Sequence, residues 1–237
     1  MATTAGVHPS HSLANVELFQ ACSEDERKRV AARCRWRKFQ DGEIIIDRGA
    51  DTHEVHFVVS GQVRVVDHGR SGREVSFETI DAGGIVGELA AIDGGERSAS
   101  VVAEQPTVTA ALDARTFVNV LADHPDVGLA MMRRLTRMVR AASGRIMELS
   151  TLGAHNRVHA ELLRLARSKA GADAASARLY PIPVHAELAA RVATTRETVA
   201  RVMSDLTKKG LLQRDGNALV IPDLASLADL VTRVRDN

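Results

Sequence analysis

Two cysteines, Cys22 and Cys34, are all that the 237 residues contain, too few thiolates to hold an iron-sulfur cluster. A structural disulfide is not expected either, so both read as ordinary buried or half-buried thiols. No apolar run approaches the ~18 residues that a membrane span requires. Residues 1–12 lack the basic start and apolar core of a secretory signal, so the expectation is a cytoplasmic protein with no membrane partner. An excess of either charge is missing too, since 31 Lys and Arg stand against 30 Asp and Glu. No Walker loop, nucleophile-base set or metal-spaced histidine cluster is visible, and the nine histidines are scattered. Neither an enzyme nor a metal site is expected.

What is present is an ordinary globular composition, 45% hydrophobic and 26% charged, in a chain long enough for two domains. Counted separately, the parts differ in sign. Residues 1–150 carry 18 basic against 21 acidic groups, and residues 151–237 carry 13 against 9. A net +4 permits a phosphate-facing carboxy-terminal domain, although a solvated basic face gives the same count.

After a start expected to be disordered over residues 1–14, the segment 15–32 reads as short helices with Leu18, Phe19 and Val30 among charges. The period then changes. Runs at 43–46, 55–59, 63–66, 74–78, 100–102 and 108–112 alternate as short strands between Gly or Asp turns, the pattern of a small sandwich or barrel-like roll. Gly49, Gly61 and Gly72 are expected at corners with positive φ.

Inside this β pattern, Gly87-Glu-Leu-Ala-Ala-Ile-Asp-Gly-Gly-Glu-Arg97-Ser-Ala99 places charge where the patterning predicts burial. A buried charge needs a partner. The planar fork of Arg97 suits bidentate contact with a phosphate, and backbone N–H groups around 87–90 favour an anion if they open a short helix. Glu88 beside such a site would be repelled unless the ligand also offered hydroxyl donors, as a ribose does. Two readings stand at this point: a nucleotide site, or an internal salt bridge between Glu88 and Arg97 with no ligand.

The segment 116–121 begins a helix that His124-Pro125 interrupts, and a long helix follows over about 126–151. Gly128, Met132, Leu135, Val139, Ala142, Ile146 and Leu149 recur at steps of four and three, a coiled-coil seam. Met131, Leu135, Met138, Ala142, Leu149 and Leu152 form a second stripe beside it, giving a face wide enough for the helix's own domain and a partner helix.

Beyond Gly153, residues 156–169 read as an amphipathic helix, 171–178 as a linker and 179–184 as a short extended segment. Residues 185–192 and 195–209 then read as two helices joined by Ala193-Thr194, the second ended by Gly210. Leu188, Ala189, Val192, Val199, Val202 and Leu206 suit a small core, while Arg196, Glu197 and Arg201 share an outer face. Arg matches guanine and Glu matches the cytosine amino group in the major groove. Thr195 is expected to cap the helix and, with Thr198, to touch phosphate. The bland reading of the same face is solvated i,i+4 charge pairing, Glu197 with Arg201. Strands at 211–214 and 218–221 complete a wing, and a last helix over 224–234 has no role assignable from sequence.

Gly87-Glu88-Leu89-Ala90 followed by Arg97-Ser98-Ala99 resembles the phosphate-binding cassette of cyclic-nucleotide-binding domains of the catabolite activator and FNR superfamily. Thr195-Arg-Glu-Thr-Val-Ala-Arg201 resembles the recognition helix of the same superfamily, and the likeness covers about residues 15–222. It implies an α+β fold: an amino-terminal cyclic-nucleotide-binding β-roll (15–123), a long dimerisation helix (124–152) and a carboxy-terminal winged helix-turn-helix (153–237). It implies a homodimeric transcription regulator that binds a palindromic double-stranded DNA operator, contacts RNA polymerase, and takes cAMP or cGMP as allosteric ligand. Nucleotide contacts are implied for Val86, Gly87, Glu88, Leu89, Ala90, Arg97, Ser98, Ala99, Ala142 and Ser143, and DNA contacts for Thr195, Arg196, Glu197, Thr198 and Arg201. The best-known cAMP-responsive members carry Thr-Ser where this chain has Ala142-Ser143, which opens the choice of base. The scarcity of cysteine separates the chain from the oxygen-sensing branch. Two alternatives remain, a haem-based or other small-molecule sensor of the same superfamily and a nucleotide-binding module regulating an enzyme.

Overall fold

The computed structural model describes residues 12–68, 74–171 and 173–235, and the chain divides into two units between Met138 and Val139. The start at residues 1–11 and the corner expected at Gly72 lie outside the described residues. Leu13, expected within a disordered start, is instead 1% exposed, because with Val16 and Phe19 it packs into a hydrophobic core.

The first unit opens with a 3-10 turn, Glu17–Phe19, and helix α1, Glu24–Ala31. Ser23 and Glu26 exchange side-chain-to-backbone hydrogen bonds across its first turn, satisfying donors that a helix start leaves free. Eight strands follow: β1 Arg35–Phe39, β2 Ile44–Ile46, β3 Val55–Ser60, β4 Gln62–His68, β5 Glu74–Asp81, β6 Ile85–Val86, then, after helix α2 Glu88–Asp93, β7 Ser100–Ala103 and β8 Thr107–Leu112. They make two antiparallel four-stranded sheets, ordered β1-β8-β3-β6 and β2-β7-β4-β5. The roll expected from sequence is present, with β1 and β6 in addition. Arg35-Trp-Arg-Lys-Phe39 escapes a hydrophobic pattern because β1 is an edge strand, with no residue fully buried.

Strand β3 is central to the first sheet and is buried on both faces, so its Val55-His-Phe-Val58 run is buried throughout, the polar His56 included. Val55 and Phe57 face a cluster with Phe19, Phe117, Val120, Val127 and Met131. There Phe19 meets Phe57 edge-on at 5.0 Å. Burying Phe57 contributes about 3 kcal/mol. On the other face, Val58 and Val86 meet Ile45, Ile46, Val63, Ile80 and Val101 between the sheets. Gly61 turns β3 into β4 at φ +89°, and a Cβ there would fall 2.3 Å from the Thr107 hydroxyl, so glycine is required. Gly49 is not in the left-handed region, contrary to the sequence expectation, because its turn closes with ordinary φ and an Ala50 N–H to Asp47 carbonyl bond.

Asp113 caps helix α3, Ala114–Asp123, by accepting from the Thr116 N–H at 2.9 Å. Pro125 then starts α4, Pro125–Thr151, at the helical position that needs no N–H donor. The second unit continues with α5 Ala154–Ala170, β9 Ala177–Leu179, α6 His185–Arg191, α7 Arg196–Lys208, β10 Gln213–Asp215, β11 Ala218–Ile221 and α8 Leu224–Arg235. Its sheet runs β10-β11-β9. Leu188, Ala189, Val192, Val199, Val202 and Leu206 are buried together, as their spacing predicts. Helix α8 gains a role, since Leu224, Leu227 and Val231 complete that core. No helix among the described residues is long and apolar enough to cross a membrane.

Candidate functional site

Strand β6 is followed by Gly87 at φ +82°, which caps the start of α2. A Cβ at Gly87 would lie 2.7 Å from Arg97 Nη1 and 2.8 Å from the Glu54 carbonyl. Only glycine satisfies both the backbone angle and this approach. The turn brings Glu88 and Arg97, 3% and 4% exposed, into one buried neighbourhood.

Arg97 donates from Nη1 to the Gly87 carbonyl at 3.0 Å, from Nη2 to the Glu54 carbonyl at 2.8 Å, and from Nε to the Thr52 hydroxyl at 3.2 Å. A guanidinium has five N–H donors, so one on each terminal nitrogen is left for an anion. Burial pulls the Arg97 pKa below the usual arginine value, and the Glu88 carboxylate pulls it back. Arg35 and Arg37 of β1 pair with the Glu54 carboxylate, the second at 3.6 Å, adding positive charge on the same side of the roll.

Glu88 does not pair with Arg97, the ligand-free alternative that the sequence left open. Its Oε1 accepts instead from Nε of Arg134 at 3.1 Å, and Arg134 Nη2 donates to the Ile85 carbonyl at 3.0 Å. Arg134 was missed by sequence reasoning. It is one of four arginines within eight residues of α4, and only its packing against Glu88 separates it from the exposed Arg133, Arg137 and Arg140.

The remaining predicted contacts divide. Val86 and Ala90 are buried, Val86 in the core between the sheets, so what they can offer a ligand is backbone. Leu89 is 36% exposed, Ser98 is exposed and Ala99 half-buried. Ala142 and Ser143 are exposed on the part of α4 that belongs to the second unit. Along that helix Val127 and Met131 are buried, whereas Met132, Val139, Ile146 and Leu149 are 58%, 65%, 63% and 44% exposed. Of the two stripes read from sequence, the first is therefore largely open.

In the second unit, Thr195 caps α7, its Oγ1 accepting from the Thr198 N–H at 3.2 Å. Arg196, Glu197 and Arg201 are exposed and Thr198 is half-buried. Glu197's own N–H, then the Thr195 hydroxyl, hold its carboxyl below the usual range, keeping it an acceptor. An exposed helix bearing two guanidinium forks and one ionised carboxylate has the donors and acceptor that base edges in a major groove match. Among the described residues no group of His, Cys, Asp or Glu is arranged to hold a metal.

Residues 36–124 match the cyclic nucleotide-binding domain family, and residues 156–230 match the Crp-like helix-turn-helix domain family. The chain is 30% identical to the cyclic AMP receptor protein of Thermus thermophilus over 213 residues, 90% of this chain and 95% of that protein. It is 23% identical to the CRP-like cAMP-activated global transcriptional regulator of Mycobacterium tuberculosis over 91% of this chain and 96% of that one. Among solved structures, a doubly substituted mutant of CooA from Carboxydothermus hydrogenoformans superposes with a TM-score of 0.78 at 23% identity, covering 91% of this chain and 95% of that one.

Proposed function

This chain belongs to the catabolite activator and FNR superfamily of DNA-binding transcription regulators, and we propose that it is a homodimer whose grip on DNA is switched by a cyclic nucleotide. Residues 15–123 hold the ligand, 124–152 pair with a second copy, and 153–237 bind a palindromic operator, two recognition helices entering successive major grooves. The protein acts in the cytoplasm, where it contacts RNA polymerase.

The observation that carries the nucleotide reading is Arg97, whose guanidinium is fixed by three protein acceptors yet keeps an N–H on each terminal nitrogen. A cyclic phosphate accepts from both, with the Gly87–Ala90 backbone beside it, while Glu88, oriented by Arg134, accepts from the ribose hydroxyl. Ser98 and Ala99 line the phosphate side, and Ala142 with Ser143 reach the base. Ala142 has no hydroxyl to offer, so preference between adenine and guanine is set with one fewer bond, worth about 1 kcal/mol. Arg196, Glu197 and Arg201 read bases, and Thr195 and Thr198 hold phosphate. Dimerisation is supported by the open stripe Met132, Val139, Ile146 and Leu149.

Calorimetry with cAMP and cGMP side by side tests the reading. One cyclic mononucleotide is expected to bind, and Arg97→Leu to weaken it by about 100-fold, two charge-assisted bonds of ~1.5 kcal/mol each being lost. Melting curves must accompany it, because Arg97 also ties Thr52, Glu54 and Gly87 together. Wild-type protein that binds no cyclic mononucleotide would overturn the assignment.

A further inference from the structure

Arg157, half-buried on α5, directs its guanidinium into the second unit. Nε donates to the Val192 carbonyl at 2.8 Å, Nη2 to the Ala193 carbonyl at 3.2 Å, and Nη1 to the Leu152 carbonyl at 2.9 Å. These acceptors come from two places far apart in the sequence. Val192 and Ala193 form the turn between α6 and α7. Leu152 follows α4, and its own N–H still continues that helix by donating to the Glu148 carbonyl at 2.9 Å.

The turn carries a backbone anomaly. Among the described residues, Ala193 is the non-glycine residue with positive φ, +49°, a conformation that a Cβ disfavours and that persists where surrounding contacts impose it. The Thr194 N–H holds one side of the turn by donating to the Ala189 carbonyl at 3.0 Å. Arg157 holds the other through two carbonyls. Thr195 follows at once and caps α7, so the first turn of the helix bearing Arg196, Glu197 and Arg201 starts from the clamped segment.

We propose that Arg157 is a positioning residue for DNA recognition: one guanidinium ties the strained helix-turn-helix turn to the carbonyl that closes the long helix, so the start of α7 is aimed from the point where α4 ends. Sequence is read by contacts to base edges, which depend on how that helix is placed, whereas contacts to phosphates carry no sequence information. Lysine cannot substitute, because a single ammonium replaces a planar fork that spans three acceptors. Specific recognition would depend on the tie with or without a ligand. Transmission of a nucleotide signal through it rests on the function proposed above.

The test uses full-length protein and DNA duplexes enriched by the wild type from a random-sequence pool, once with cAMP and once without nucleotide, each compared with a scrambled duplex. In Arg157→Lys and Arg157→Gln, the ratio of specific to non-specific affinity is expected to fall by about tenfold or more, the equivalent of a lost base contact. Nucleotide affinity without DNA should stay at the wild-type value. The dependence of non-specific binding on salt should also be unchanged, since no phosphate contact is removed; a slope shallower by about 0.9 would make Arg157 a phosphate ligand and overturn the proposal. An unchanged specificity ratio would overturn it as well. Arg157→Gln is also expected to lower the melting temperature, and Ala193→Gly, which relieves the strained turn, should restore it in that background without restoring specificity. Recovery of specificity in that double variant would mean that Arg157 only holds the strained turn in place, and would overturn the proposal. Wild-type DNA binding that ignores cyclic nucleotide would instead refute the switch and leave the specificity readout standing.

Discussion

His56 enters the space between the two sheets from β3, with Nδ1 3.1 Å from the Thr109 hydroxyl and its ring edge-on to Phe39 at 6.5 Å. Burial first, then the charges of Arg37, Arg97 and Arg35, push its pKa from 6.5 down to about 4. The unfolded chain takes up this proton near pH 6.5 and the folded chain only near pH 4, so between those values the unfolded state binds more protons. Stability is therefore expected to fall as pH is lowered through that window and to level off below it, with a full loss of about 3 kcal/mol. Comparing thermal melts of the wild type and His56→Gln from neutral pH to pH 4 isolates this contribution, because the other titrating groups are common to both. An equal pH dependence in the two proteins would show that His56 is not the group responsible. The same arginine charges, which add to the effect of burial on His56, would favour the phosphate of the proposed ligand. Burial raises the Cys34 thiol to about 12 and also raises Cys22, which leaves both protonated and poorly nucleophilic.

At the scale of the element, α4 carries buried apolar residues and an open apolar stripe. Val127 and Met131 are buried in the core of the roll, so a charge at Met131 would unfold it. Val139 is 65% exposed and contributes little to the fold of a single chain. If two copies pair through this stripe, Val139→Glu places a carboxylate from each chain in a desolvated seam, at a cost of about 3 kcal/mol or more. The dimer dissociation constant is expected to rise by at least about 100-fold with the melting of the roll little changed. Sedimentation velocity over a concentration series checks this, and an unweakened dimer would place the interface elsewhere. The stripe Met132, Val139, Ile146 and Leu149 was legible from its spacing alone, whereas the exposed Leu129 and Met147 fall outside it. Strand β1 was not, because an edge strand with polar side chains has no hydrophobic period to betray it.

For the molecule as a whole, the proposed switch is a coupling between two binding equilibria. A ligand moves a two-state protein only by its differential affinity for the two states. Nucleotide that tightens specific DNA binding must itself be tightened by operator DNA by the same factor, expected at about 5- to 150-fold. Titrating nucleotide into protein with and without its selected duplex measures this directly. Equal affinities would describe a protein that binds both ligands without being switched.

The sequence by itself determined the two-part architecture, the Gly87-Glu88 turn with Arg97, and the helix-turn-helix with its exposed Arg196, Glu197 and Arg201. Each is written in short-range terms: a period of two or of nearly four residues, a charge inside an apolar pattern, a threonine where a helix begins. The tertiary structure decided which charges meet. Glu88 turned to Arg134, 46 positions away, rather than to Arg97, and Arg157 reached 35 positions to the turn at Val192. Both arginines sit on helices rich in arginine. Their partners are chosen by how the chain packs, and no local pattern records a contact between residues that only folding brings together.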